Sequence, residues 1–435
     1  MSPELVGGIG IGVMLLLMFL GLPIAVCMAS VGLAGYAVLC GVNKALLMVG
    51  MVPYSTIASY VLSVLPVYLL MGEFADVSGL MRDSYRAANT WLGNLPGGLA
   101  MASIVGAALF SAVSGSSMAC AAIMTRISLP SLLDVYKYDP RLATGALAAG
   151  GTLGNLVPPG IAFVFYALMS ETSIGKLYVA ALIPGVVLTL MYLIQIYIQC
   201  KINPSLGPRG GRTTWKQKLF GMKDIVALTI VFALVMGGIW FGVFTATEAG
   251  AIGTIFTFLF ALLRRKLTRQ NLIQTLKNTI NISGMAFAII IGAQIFTFFI
   301  TVSGLSQELA QWVTDLKISP IGVVIWIMII YFVLGTAMDT ITMILLTLPI
   351  FLGVIKSLGI DLIWFGVLVI IQVELANISP PAGMNLYVVI GMVKERNIST
   401  GTVFRGVLPF CLTMLIFTII IIAFPQISLF LTKGM

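Results

Sequence analysis

Apolar runs long enough to cross a lipid bilayer recur from one end of this chain to the other. They limit its possible folds more than any other feature. A crossing needs about 20 apolar residues, because a helix rises 1.5 Å per residue through roughly 30 Å of hydrocarbon. Val6 to Leu39 is long enough for two crossings, interrupted near Gly21-Leu22-Pro23. Leu46 to Phe74 reads as one crossing bent at Pro53 and Pro66, and Leu177 to Cys200 as a plain one. Pro96 to Leu133, Leu142 to Met169, Ile225 to Leu263, Asn281 to Thr301, Pro320 to Lys356, Leu362 to Val393 and Val403 to Leu431 complete the series. Only 9% of residues are charged and 59% are hydrophobic. A soluble domain carries roughly a quarter charged residues, so the solvent of this surface is lipid and the expected fold is an all-α integral membrane protein.

The charges say how such a chain is oriented. Lys and Arg number 24 against 15 Asp and Glu. In a soluble chain that excess would suggest nucleic acid; in a membrane protein it marks cytoplasmic loops, and no nucleic-acid partner is expected. Lys201 to Asp224 carries Lys201, Arg209, Arg212, Lys216, Lys218 and Lys223 with a single acid. It reads as a cytoplasmic loop, as does Arg264 to Lys277. Val77 to Leu95, with Arg82, Asp83 and Arg86, and Ser306 to Ile318 read as amphipathic helices at the interface. The five cysteines show no paired spacing and read as small packing residues. The chain has no His, which excludes His-based metal sites, general bases and proton relays. Met1 to Glu4 lacks the basic start of a cleavable signal peptide.

The second half repeats the first. Val77-Ser-Gly-Leu80 returns as Val302-Ser-Gly-Leu305 (302 − 77 = 225), and Leu153-Gly-Asn-Leu-Val-Pro-Pro159 as Leu375-Ala-Asn-Ile-Ser-Pro-Pro381 (375 − 153 = 222). Trp91 and Pro96 find counterparts in Trp312 and Pro320. Each repeat holds an odd number of crossings, so the second must run inverted, the sequence mark of a secondary transporter. The expected divisions are scaffold helices at 1–45, a first repeat at 46–200, a basic loop at 201–224, scaffold helices at 225–280 and a second repeat at 281–435. Re-entrant hairpins are expected at 96–133 and 320–357, and broken helices at 142–169 and 362–393.

Backbone exposed to lipid must be hydrogen-bonded, so interruptions at membrane depth belong in protein or at a wet cavity. There they free carbonyls for a cation and helix N-terminal amides for an anion. Two hairpin tips qualify, Ser114-Gly115-Ser116-Ser117 and Gly335-Thr336-Ala337-Met338-Asp339-Thr340. So do two breaks, Gly151-Thr152-Leu153-Gly154-Asn155 before Pro158-Pro159, and Asn377-Ile378-Ser379 before Pro380-Pro381. One cation site per repeat is expected where tip and broken helix meet. The candidate cation-binding residues are Ser114, Gly115, Ser117, Gly151, Thr152 and Asn155 in the first repeat, and Gly335, Thr336, Asp339, Thr340, Asn377 and Ser379 in the second. Candidate substrate contacts are Ser116, Ser117, Asn155, Pro158, Thr340, Pro380 and Asn385. Hydroxyls and carbonyls are hard ligands suited to Na⁺, which is expected as coupling ion with no organic cofactor and no transition metal.

Acids within crossings are functional candidates. Asp339 sits in the second tip, 222 residues after Ser117 (339 − 117 = 222), and Glu374 stands three residues before Asn377. Glu73 and Glu248 lie near segment ends, where the interface would solvate them. Arg126 lies nine residues past Ser117, about 13 Å along a helix, and is expected to reach the cytoplasmic face. With no His and no close pair of carboxylates at the breaks, an enzyme is not expected.

Taken together, Ala112-Val-Ser-Gly-Ser-Ser117, Ala149-Gly-Gly-Thr-Leu-Gly154 with Pro158-Pro159, Ile183-Pro-Gly185, Thr247-Glu-Ala-Gly250 and Pro380-Pro-Ala-Gly-Met-Asn-Leu386 resemble the large membrane subunit of the tripartite ATP-independent periplasmic (TRAP) transporters. The resemblance covers nearly the whole chain. It implies an elevator-type carrier in the bacterial inner membrane that imports a small organic acid on a sodium gradient. A periplasmic substrate-binding protein would deliver the acid, and a small four-helix membrane subunit, a separate chain, would brace the scaffold. A stand-alone sodium/dicarboxylate symporter of the same superfamily is the alternative.

Overall fold

The computed structural model describes residues 2–211, 213–336 and 338–435, apart from the side chain of Thr314. Arg212 of the basic segment and Ala337 of the second tip lie outside them. The described residues form helices and no strands. The Gly21-Leu22-Pro23 break separates α1 (Pro3–Phe19) from α2 (Ile24–Cys40). Then come α3 (Val42–Ile57), α4 (Val64–Ser78), α5 (Leu80–Leu92), α6 (Gly98–Ser114) and α7 (Ser117–Pro130), the last continued by a π turn at Ser131–Val135. α8 (Pro140–Leu156) and α9 (Ile161–Ser170) meet at a bend of 43°, and α10 (Ile174–Ile202) follows. A short α11 (Trp215–Gly221) leads into α12 (Lys223–Trp240) and α13 (Ala246–Leu263). The remainder is α14 (Arg269–Ser303), α15 (Leu305–Asp315), α16 (Pro320–Gly335), α17 (Thr340–Ser357), α18 (Leu362–Ile378), α19 (Met384–Val393), α20 (Thr400–Ala423) and α21 (Gln426–Leu429). Eight of the described helices are long and apolar enough to cross a membrane.

Packing follows a pseudo-two-fold. α5 to α10 are answered in order by α15 to α20. Contacts are reciprocal: α7 packs on α19 and α17 on α9, while α8 packs on α19 and α18 on α9. The pairs α4–α14, α8–α18 and α10–α20 straddle the axis. The scaffold is exchanged between halves, α2 lying along α14 and α13 along α4. Small residues let these helices touch: a Cβ on Gly32 would lie 2.8 Å from Phe296 backbone, and one on Gly292 2.5 Å from the Ala25 carbonyl. Across the other pair, Tyr68 donates its hydroxyl to the Ala246 carbonyl (3.0 Å) and Thr254 to that of Val67 (2.8 Å).

Three local readings change, and the Glu248 reading gains a structural reason. Leu46 to Phe74 is two helices, because Pro66 lacks the amide that would bond back one turn and the helix restarts just before it, in the first-turn position where proline is tolerated. Its counterpart has no proline and runs unbroken over 35 residues as α14, starting well before Asn281. The basic segment is folded, not a free loop: it contains α11, and Thr213 donates to the Thr90 carbonyl (2.9 Å) while its amide donates to Asn94 (3.2 Å). Glu248 is the third helical residue of α13, where its carboxylate accepts from the Thr245 amide (2.8 Å) in a capping box, which explains the Thr247-Glu-Ala-Gly250 stretch by helix initiation.

Candidate functional site

The chain turns at each hairpin tip because the residues there end one helix and start another. Gly115 closes α6 at φ +61°, a left-handed conformation, and a Cβ there would meet the Pro159 carbonyl at 2.5 Å. Its own carbonyl accepts from the Ile161 amide (3.1 Å), tying the first tip to the start of α9. Ser116 then caps α7, accepting from the Ala119 amide at 3.4 Å. At the second tip Asp339 caps α17, accepting from the amides of Ile341 (3.1 Å) and Thr342 (3.3 Å) and from the Thr342 hydroxyl. The structural counterpart of Asp339 is therefore Ser116, not Ser117. Two residues separate α6 from α7 but four separate α16 from α17, and this shifts the alignment at the tip.

Each broken helix presses on its tip. A Cβ on Gly154 would fall 2.6 Å from the Ser116 carbonyl, and one on Gly151 2.7 Å from Ala121. In the second repeat the close approach is made from the hairpin side, where a Cβ on Gly335 would lie 2.5 Å from Ala376. Both Pro-Pro bonds, Pro158-Pro159 and Pro380-Pro381, are cis. Gly160 and Gly383 occupy matching places after them, each against the carbonyl of the preceding asparagine, Asn155 or Asn377.

A cavity of about 730 Å³ lies between these breaks and the scaffold helices α2, α4 and α14. It brings together Ser114 to Ser117, Asn155, Asp339, Thr340 and Asn377. Asn377 donates its amide to the Thr340 hydroxyl (2.8 Å), joining break to tip within the second repeat. Asn155 instead reaches across the axis and donates to Glu374 Oε1 at 2.7 Å. Asn385 donates to Glu374 Oε2 at 3.4 Å. Glu374 is fully buried and has no cationic partner among the described residues. Ser117, Asn377 and Asn385 stand beside it; Ser117 Oγ, Asn377 Oδ1 and Asn385 Oδ1, like Ser114 Oγ at the first tip, are buried with no hydrogen-bond partner. Buried polar atoms are normally paired, and each unpaired one costs about 1–3 kcal/mol.

Other candidates turn away. Thr152 bonds to the Ala149 carbonyl (2.7 Å) and to the Tyr192 hydroxyl (3.3 Å), Thr336 to the Val333 carbonyl (2.8 Å), and Ser379 to the Leu375 carbonyl (2.7 Å). These hydroxyls return to their own helix turns, a common habit of Ser and Thr. Gly151, Gly335, Pro158 and Pro380 shape the backbone and do not line the cavity. Glu73, read as interfacial, lines the cavity and accepts from Asn278 (3.0 Å), and Asp76 stands beside it.

An internally repeated helical fold with a polar, half-satisfied centre where interrupted helices converge defines a membrane transport protein. The chain belongs to the family described as tripartite ATP-independent periplasmic transporter, DctM component, whose model matches residues 11–427. It is similar to the C4-dicarboxylate TRAP transporter large permease protein DctM of Pseudomonas aeruginosa, 32% identical over 377 residues, 86% of this chain and 87% of the relative. It is also similar to the sialic acid TRAP transporter large permease protein SiaM of Vibrio cholerae, 30% identical over 423 residues and 96% of each chain. Among solved structures, the YdaH transporter of Alcanivorax borkumensis shares the fold, with a TM-score of 0.63 at 15% identity over 88% of this chain and 89% of that one. The protein is thus a multi-pass component of an inner-membrane transporter and not an enzyme. Large permeases of this family function with a small permease and a periplasmic binding protein.

Proposed function

We propose that this chain is the carrier subunit of a sodium-driven importer of an organic acid, a carboxylate such as a C4-dicarboxylate or a sialic acid. The observation that carries the reading is a set of buried, unpartnered oxygens, Ser117 Oγ, Asn377 Oδ1 and Asn385 Oδ1 beside the buried Glu374 carboxylate and Ser114 Oγ at the first tip. Hard oxygens with no donor to satisfy them suit Na⁺, and the charge of Glu374 offsets that of the ion. Ser114 and Ser117 with Asn155 make one site; Thr340, Asn377 and Asn385 make the other. Glu374 receives N–H groups from Asn155 and Asn385, so it holds those amides with their oxygens turned away from it. The substrate carboxylate belongs at the N-terminus of α7, where Ser116 takes up a single amide. The matching amides of α17 are already occupied by Asp339.

The hairpins and broken helices would move as the elevator against α2, α4, α13 and α14, braced by a four-helix small subunit and supplied by a periplasmic binding protein. The relatives named for C4-dicarboxylate and sialic acid transport support the substrate class. The basic segments 201–224 and 264–277 face the cytoplasm in this reading, which a thiol reagent can check at Lys216→Cys in a cysteine-free background. The deciding experiment is uptake by proteoliposomes holding the full complex. Uptake should rise sigmoidally with Na⁺; full uptake in Na⁺-free buffer on a proton gradient would overturn the reading. The chain reconstituted alone should carry little, and robust uptake by it would favour a stand-alone symporter.

A further inference from the structure

A second cavity, of about 540 Å³, adjoins the first and shares Asp76 and Ile123 with it. Five cations line it: Arg82 and Arg86 from α5, Arg126 from α7, and Arg264 and Lys266 from the end of α13. Three carboxylates also line it, Asp76, Asp83 and Asp224, leaving a net charge of +2 (5 − 3). Two of these carboxylates are paired, and the third, Asp76, faces Arg126. Asp83 is paired with Arg264, which also donates to the Ser78 carbonyl (3.2 Å), and Asp224 lies 3.7 Å from Arg86. Arg82, Arg126 and Lys266 have no hydrogen bond or ion pair from their side chains among the described residues. The positive-inside tendency explains why cations gather on one face of a membrane protein. It does not require them to converge on one concavity from three separate elements.

We infer that this cavity is a binding site for an anion of phosphate or carboxylate chemistry. Guanidinium groups present paired N–H donors that match such oxyanions two at a time, and an excess of cations lining one cleft is stabilised when an anion enters it. Two sources supply that chemistry, the headgroup of an acidic phospholipid and a free anion in solution. Arg126 rides on the hairpin arm, while Arg82 and Lys266 sit on elements flanking the scaffold. An anion bound among them therefore bridges the two parts, and its occupancy is independent of the sodium reading above.

The test is thermal unfolding of the purified full-length chain in detergent. Each sample receives potassium phosphate against potassium chloride of equal ionic strength, or dioleoylphosphatidylglycerol against dioleoylphosphatidylcholine. The midpoint should rise with phosphatidylglycerol, and the Arg82→Gln/Arg126→Gln double variant should lose at least half of that rise relative to its own baseline. A rise with both phosphate and phosphatidylglycerol identifies a free-anion site; a rise with phosphatidylglycerol alone identifies a headgroup site. Lys266→Gln, at an exposed position, gives the same comparison should the double variant fail to fold. No rise beyond the chloride and phosphatidylcholine controls, or a full response in the variants, would overturn the proposal.

Discussion

At the first hairpin tip a neutral serine caps α7 through one amide at 3.4 Å, while at the second a carboxylate caps α17 through two amides and a hydroxyl. The first tip keeps two buried hydroxyl oxygens, on Ser114 and Ser117, without partners. At the second, the Thr340 hydroxyl oxygen accepts from the Asn377 amide. Sequence symmetry alone would make the two tips equal. Their hydrogen bonds leave the first tip with unpartnered oxygens and close the cap of the second on a carboxylate. The same division marks the flanking arms, one jointed into α3 and α4 and the other continuous as α14. A repeat sets where the two tips lie but leaves each free to pair its polar groups differently.

Glu374 belongs to both halves, so removing its charge should do the most damage. Glu374→Gln sets an NH₂ group against the donors of Asn155 and Asn385, at a cost on the order of 2–3 kcal/mol. The sodium concentration for half-maximal uptake should rise by about 30-fold or more. A change within twofold would mean that the two halves do not share a centre. Gly154→Ala comes next: its Cβ meets backbone of the first tip, and overpacking of that kind costs about 1–3 kcal/mol. Gly335→Ala meets Ala376 and the flexible end of Met343, so its melting midpoint should fall less than that of Gly154→Ala; the reverse order would reverse the roles given to the two tips.

Ser117→Ala removes one neutral ligand, worth about 1 kcal/mol. The sodium requirement should rise about fivefold with little change in melting temperature. Asp339→Asn should have the smallest effect, since Asn caps a helix about as well as Asp. Stability should stay within about 0.5 kcal/mol of the parent protein, and the sodium requirement should move less than for Ser117→Ala. A sodium shift larger than that of Ser117→Ala would make Asp339 a ligand and erase the contrast between the tips.

The helix order and the four interruptions were legible in the sequence because Pro, Gly and Ser mark breaks locally and the repeat doubles each mark. What escaped is what depends on distance or on which face a side chain takes. Thr152 and Asn155 are three apart on one helix, yet Thr152 spends its hydroxyl on Ala149 and Tyr192 while Asn155 reaches Glu374. Glu374 was visible as an acid three residues before Asn377, on the same helical face. Nothing near it in sequence announced a partner in the other half. The joint between α3 and α4 had its signal in Pro66, but a proline in a long apolar run reads equally as a bend. The unequal lengths of the tips, two residues against four, hid which residues correspond at the caps.

The bond from Asn155 to Glu374 spans 219 residues of chain, and this sets a constraint on biosynthesis. As the first repeat enters the bilayer, the Asn155 amide lacks its acceptor, and it stays so until the ribosome has passed residue 374. Through that interval the half-made protein carries unsatisfied polar groups in or near hydrocarbon, where insertion machinery or water must shelter them. A chain terminated after α10 would retain one tip but lack the carboxylate that accepts from Asn155. The buried polar centre around Glu374 is therefore completed late, when the second half docks against the first.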